Sequence, residues 1–196
     1  MIAFKTEKRK NKIISVVNSR KKSLRLVLEN IHDPHNVSAI FRTCDAVGVP
    51  KVSLVYTVEK FPKIGKKSSA SAFKWVEKEK FKSIKECYDS LKSQGYTIYS
   101  SSICGDAVSL YDLDFTGKTA IVLGNEHRGV SEEAAGLADK KFLIPMRGMV
   151  QSLNVSVAAA VTLYEAYRQR FAKGLYDLSE FSAEELDNMV EAWCRK

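Results

Sequence analysis

Residues 140–170 constrain what this chain can fold into more than any other stretch. They open on a short apolar run, Phe142, Leu143 and Ile144, which fits one buried strand. Pro145 ends it, because proline has no N–H to give a sheet ladder. A loop carrying Gly148 follows, then a helix whose first residues read Ser152, Leu153 and Asn154. Ala158, Ala159 and Ala160 leave that helix thin enough for a neighbouring backbone to approach closely. Leu153, Val157, Val161 and Tyr164 recur at helical spacing and read as its apolar face. Ser152 and Asn154 break the apolar pattern where the first N–H groups of a helix are free, a place that suits an N-cap or a ligand equally.

The rest of the chain alternates in the same way. Strands are expected at Leu24–Glu29, Val52–Val58, Trp75–Phe81, Thr97–Ser101 and Ala120–Leu123. Helices are expected up to about Val17, over Val37–Val47 with Gly48 as the stop, over Ser83–Ser93 before Gly95, and over Ser131–Ala138. Ser68–Phe73 reads as a short helical turn. The Leu24–Glu29 run is nearly continuous in apolar character, as in a parallel strand covered on both faces. Strands alternating with helices make this an α/β fold with a mostly parallel sheet. At the C-terminus, Ser182 and Glu185 form a capping box and Phe181 pairs with Leu186 as a staple. Leu186, Met189, Val190 and Trp193 then share one helical face, which must cover either this domain or a second subunit.

Charge points to a polyanion. The 196 residues carry a net charge of +8, concentrated at the N-terminus, where residues 1–25 hold nine Lys or Arg against Glu7. A second run from Lys60 to Lys85 has nine lysines against Glu77 and Glu79, with Phe61, Phe73, Trp75 and Phe81 among them. Neither run has the apolar stripe of a membrane-surface helix, and no apolar run is long enough to span a bilayer. Cys44, Cys87, Cys104 and Cys194 are scattered without a C-x-x-C pair and read as free thiols of a cytoplasmic protein. His32 and His35 have no third ligand near them, so no metal is expected.

Three polar clusters each follow a strand. Asn36 to Arg42 opens a helix, which Asn36 can cap, with Arg42 a turn and a half further on and able to face the strand ends where α/β ligands bind. Gly124 to Gly129 encloses Glu126, and its glycines permit close approach of backbone to a ligand. The spacing is not that of a Walker loop, since Val130 stands where lysine is needed, and no G-x-G-x-x-G follows any strand. Ser152 and Asn154 form the third cluster. Converging on one cleft, the three would make a single polar site.

In order and spacing, these segments resemble the three signature motifs of the TrmH (SpoU) family of SPOUT RNA methyltransferases. Asn36–Arg42 with Ala46-Val47-Gly48-Val49 is similar to the first, Gly124–Val130 to the second and Ile144–Arg170 to the third, and the likeness runs from about Leu24 to Arg170. Asp33-Pro34-His35-Asn36 and Met149-Val150-Gln151-Ser152 resemble the tRNA branch more than the ribosomal RNA branch. The resemblance implies a SPOUT domain over residues 23–170 with a C-terminal trefoil knot. A basic RNA-binding helical extension would occupy residues 1–22 and a second helical extension 171–196. It implies S-adenosylmethionine held largely by backbone at Ser101, Gly124, Ile144, Met146, Ser152 and Leu153, with no metal. Arg42 would act on the ribose 2′-hydroxyl, positioned with the cofactor by Asn36, Glu126, Ser152 and Asn154. RNA would meet Lys8, Arg9, Lys10, Lys12, Arg20, Lys21, Lys22, Arg42, Lys63, Lys66 and Lys67. The implied reaction is 2′-O-methylation of the D-loop guanosine at position 18 of tRNA by a homodimer. The alternatives are ribosomal RNA or another tRNA position as target, or a non-catalytic RNA-binding protein.

Overall fold

A computed structural model describes residues 6–63, 72–103 and 105–196. Its centre is one seven-stranded sheet in the order β3-β2-β1-β6-β4-β7-β5, every pair parallel. The strands are β1 (Leu24–Glu29), β2 (Lys51–Val55), β3 (Glu77–Phe81), β4 (Thr97–Ser101), β5 (Val108–Ser109), β6 (Thr119–Leu123) and β7 (Lys140–Leu143). The helices are α1 (Glu7–Asn18), α2 (Pro34–Val47), α3 (Ile84–Ser93), α4 (Glu132–Leu137), α5 (Val155–Ala172) and α6 (Ala183–Cys194).

Strand β1 shows how the sequence sets the layers. Leu24, Leu26 and Leu28 point into the core shared with α2 and α5, and Val27 into the core shared with α3 and α4. Strand β6 alternates in the same way, Ile121 and Leu123 on one face and Ala120 and Val122 on the other. Period two on a doubly covered strand buries both faces, which is why these runs read as nearly continuous apolar stretches, broken in β1 by Arg25, which pairs with Glu79, and by Glu29, which accepts from the Ser131 N–H. From β1 the chain winds one way to β2 and β3, and from β6 the other way to β7. The crevice beyond the carboxyl ends of β1 and β6 is therefore the topological switch point, where open α/β sheets place their ligands.

Several expected boundaries shift for physical reasons. Helix α2 begins three residues earlier than expected, because Asp33 and not Asn36 is its N-cap, accepting from the His35 N–H, with Pro34 in the first turn. Gly48 stops it as expected, at φ 84°. The helix of the third cluster begins at Val155, with Asn154 as N-cap accepting from the Ser156 N–H, so Ser152 and Leu153 lie in the preceding loop. The expected apolar face of α5 is also corrected. Ala159, Leu163 and Ala166 face the core, while Val157 and Tyr164 are exposed and Leu153 and Val161 only half-buried. Two alanines and a leucine, not the large aromatic side chains, mark the side that packs in the core with α2. Strand β2 ends at Val55, β3 begins after Trp75, and the two-residue β5 had no apolar pattern to announce it.

The terminal helices pack on each other. Ile13 and Val17 of α1 meet Leu186, Met189, Val190 and Trp193 of α6, and Trp75 lies against Trp193 with ring centroids 4.8 Å apart. The α6 stripe thus covers its own chain. Ser182 and Glu185 form the expected capping box. Arg20 and Lys21, expected to meet RNA, are instead fully buried. Arg20 pairs with Asp45, donates to the Val49 carbonyl and lies against Trp193, while Lys21 donates to the Leu178 carbonyl beneath Tyr176. With Arg170, which donates to Ser23 and to the Gly117 carbonyl, they clip the C-terminal segment to the sheet. Burial pushes the Lys21 ammonium below the ordinary lysine range.

Candidate active site

The three polar clusters meet. Asn154, capping α5 through its Oδ1, donates its Nδ2 to Asn36 Oδ1 at 3.0 Å, and Asn36 donates its own Nδ2 to Glu126 Oε1 at 3.0 Å. Glu126 also accepts from the backbone N–H groups of His32 and Asp33, at 3.0 and 3.1 Å. Segments up to 118 residues apart in sequence are thereby joined in one hydrogen-bonded chain. Burial opposes the charge on Glu126, but the donors from Asn36, His32 and Asp33 outweigh it and hold the carboxyl below the ordinary glutamate range.

The loop that carries Glu126 is set by its ends. Gly129, at φ 69°, donates its N–H to the Asn125 carbonyl, and a Cβ on Gly124 would run into the Gly129 carbonyl. Asn125 Oδ1 accepts from the N–H groups of His127 and Arg128, while its Nδ2 donates to the Asn30 carbonyl at 2.7 Å. Asn30, in the left-handed region at φ 52°, accepts the N–H groups of Thr57, Val58 and Glu59 on its Oδ1. These two asparagines tie the ends of β1, β2 and β6 together, and sequence reasoning singled out neither. The available signal was an asparagine, a residue that tolerates left-handed backbone, directly after β1, and a second one two residues past the end of β6.

Beside this chain lies a cleft of about 420 Å³ beyond the ends of β4 and β7. Ser101, Ile144, Met146, Ser152 and Leu153 line it, together with Leu143, Gly148 and Val150. Gly124 does not line it, and its role is to let the Glu126 loop close. Between Pro145 and Leu153 no backbone group pairs with another backbone group among the described residues. Such a loop offers a run of free N–H and C=O groups around an apolar floor, which fits a ligand with a flat base and several polar groups, as S-adenosylmethionine has. Ser152 is exposed at this cleft and makes no hydrogen bond to Asn36, Glu126 or Asn154.

Arg42 is exposed on α2 and makes no hydrogen bond or ion pair among the described residues. Among the residues expected to meet RNA, Lys8, Arg9, Lys12 and Lys63 are exposed, Lys10 is half-buried, and Lys22 is exposed and pairs with Glu185 at 3.2 Å. Lys66 and Lys67 lie outside the described residues. No cluster of His, Cys, Asp and Glu suited to a metal occurs among the described residues.

The model of the SpoU rRNA methylase family matches residues 23–164, which takes in all three clusters. The chain belongs to the SpoU methylase family. Among its relatives, the tRNA (guanosine(18)-2′-O)-methyltransferase of Thermus thermophilus is 45% identical over 192 residues, covering 98% of each chain. The crystal structure of the A. aeolicus TrmH/SpoU tRNA modifying enzyme superposes with a TM-score of 0.90 at 40% identity, over 96% of this chain and 95% of that one. The SpoU methyltransferase AviRb of Streptomyces viridochromogenes, solved in complex with the cofactor AdoMet, gives a TM-score of 0.70 at 28% identity, over 80% of this chain and 64% of that one. The parallel sheet and its covering helices are thus those of SpoU methylases.

Proposed function

We propose that this protein transfers the methyl group of S-adenosylmethionine to the ribose 2′-oxygen of guanosine 18 in tRNA. The observation that carries this reading is the chain from Asn154 through Asn36 to Glu126, which lies beside the cleft of Ser101, Ile144, Met146 and Leu153. When bound, the cofactor supplies a methyl group on a sulfonium, which the ribose oxygen takes by in-line displacement while the C–S bond breaks and the hydroxyl proton leaves to solvent.

In this reading Arg42 positions the ribose and its adjoining phosphate. A guanidinium has five N–H donors and no acceptor, so its work is to orient and neutralise and not to take a proton as a free base. An exposed guanidinium without a protein acceptor keeps its fork of donors for a phosphate. The Asn36 and Asn154 pair holds the start of α2 against the start of α5 and so sets where α2, and Arg42 on it, stands relative to α5. Ser152 and the free backbone of residues 145–153 hold the cofactor. Lys8, Arg9, Lys12 and Lys63 hold the RNA.

The enzyme acts as a homodimer of the cytoplasm in this proposal. Support for pairing comes from α5, where Val157, Tyr164 and Phe171 stand seven residues apart on one stripe, 46%, 51% and 62% exposed. A stripe of that kind is what a second copy of the chain covers.

Methyl transfer from labelled S-adenosylmethionine to unmodified tRNA and, separately, to ribosomal RNA tests the proposal. The expected product is label on the 2′-oxygen of guanosine 18. Label confined to ribosomal RNA overturns the substrate, and absence of cofactor binding overturns the reaction.

A further inference from the structure

A second cleft, of about 400 Å³, opens at the other end of the sheet, where β1, β2, β3 and β6 begin. It is walled by rings and cations together. Trp75, Trp193, Tyr96 and Phe181 line it, and so do Lys22, Arg25, Lys51, Lys118 and Lys196, against the carboxylates Glu77 and Glu185. The cations lie over the rings. Arg25 and Lys118 stand 5.8 and 5.9 Å from the Tyr96 centroid, Lys22 5.0 Å from Phe181, and Lys196 5.7 and 5.8 Å from Trp75 and Trp193.

The ion pairs in this cleft are ones an incoming phosphate can replace. Lys51 and Glu77 stand 3.5 Å apart and Lys22 and Glu185 3.2 Å, all at exposed or half-exposed positions where such pairs contribute little. Lys118 donates to the Gln94 carbonyl and faces no carboxylate among the described residues. The Arg25 side chain is only 8% exposed, yet it spends one nitrogen on Glu79 and makes no other hydrogen bond among the described residues. A buried guanidinium with donors to spare, beside aromatic walls and an excess of cations, has the chemistry of a nucleotide unit: rings for the base, cations for the phosphate.

We propose that this cleft is a second RNA-binding site, which takes one unstacked nucleotide of the substrate at the end of the sheet opposite the methyl-transfer cleft. The source is RNA and not a free nucleotide because the cationic surface continues past the tryptophan pair. Trp75 and Trp193 also line a neighbouring groove with Arg9, Lys12, Ile13 and Val16 of α1 and with Asp45, whose charge is met by Arg20, so a strand lying along α1 is led into the cleft. The proposal rests on the RNA-methylating reading.

The protein reports on its own cleft, since Trp75 and Trp193 are its two tryptophans and both line it. The experiment titrates the intact protein with tRNA, with guanosine 5′-monophosphate and with S-adenosylmethionine, following tryptophan emission, and repeats this on Lys51→Glu/Lys118→Glu and on Lys51→Ala/Lys118→Ala. Circular dichroism establishes that both variants are folded. The expected results are quenching by tRNA, at least a tenfold weaker tRNA affinity in the double Glu variant, and a smaller loss in the double Ala variant. Cofactor affinity is expected to be unchanged in both. Unaltered tRNA affinity in both variants overturns the proposal. So does saturable quenching by guanosine monophosphate without any effect of the variants on tRNA, which makes the cleft a free-nucleotide site. Loss of the methyltransferase reading would show separately, as failure to bind S-adenosylmethionine.

Discussion

At the residue scale, Glu126 is the hinge of the site, because its carboxylate draws donors from His32, Asp33 and Asn36. Its pKa is held below the ordinary glutamate value, so it contributes stability that is present above the ordinary glutamate range and is lost as the pH falls through the lower folded value. Glu126→Gln should cost about 1 kcal/mol near neutrality, since the group is half-exposed and its charged hydrogen bonds are partly screened. The melting temperatures of the two proteins should converge below the glutamate range, and a constant gap down to pH 3 would refute this account. Arg42 separates binding from turnover. Arg42→Ala should lower the methylation rate by about two to three orders of magnitude, the range for removing one donor aimed at transition-state charge. Calorimetry should find S-adenosylmethionine affinity unchanged, because Arg42 does not line the cleft proposed for the cofactor. Weaker cofactor binding would contradict its placement.

At the scale of elements, the sequence made strands more legible than helix faces. Leu24–Glu29 and Thr97–Ser101 match their expected bounds, because turn residues in the left-handed region set them off, Asn30 directly after β1 and Gly95 just before β4. Helix α5 misled because its core side is built from Ala159, Ala166 and Leu163, while its largest apolar residues face outward. Hydrophobicity ranks Tyr164 above Ala159, but a helix pressed closely on α2 needs the smaller side chain. The capping box of α6 was legible because it is local, whereas the target of its stripe was not. Covering α1 or covering a second chain demands the same apolar face. The two helices now make opposite predictions for assembly. Tyr164→Glu, on the exposed stripe of α5, should shift sedimentation toward the monomer with little change in melting temperature. Trp193→Asp should lower the melting temperature by breaking the packing with α1 and Trp75, as burying an unpaired charge does, and should leave the assembly state unaltered. The reverse pattern would return the α6 stripe to the interface.

At the scale of the whole molecule, net charge reads correctly in sum and incorrectly in detail. The N-terminal 25 residues are strongly basic, yet Arg20 and Lys21 spend their charge inside the protein and Arg25 is nearly buried. Sequence position cannot separate a cation that clips the C-terminal segment from one that meets a phosphate, since both follow from the same residue types, and only the fold of residues 174–182 against the sheet decides between them. This changes how RNA binding must be tested. Deleting residues 1–22 would remove the Arg20 and Lys21 anchors and uncover α6, so weaker RNA binding would report misfolding as readily as the removal of phosphate-binding cations. Charge reversal at Lys8, Arg9 and Lys12 avoids that, because all three are exposed. Lys8 and Arg9 sit in the first turn of α1, where acidic side chains favour the helix dipole. The triple Glu variant should keep its melting temperature and its cofactor affinity. Its tRNA affinity should fall, and the slope of log affinity against log salt should flatten by about 0.7 to 0.9 for each phosphate that is no longer neutralised. A weaker affinity with an unchanged slope would mean that these residues act through the position of α1, and an unchanged affinity would turn this face of α1 away from the RNA.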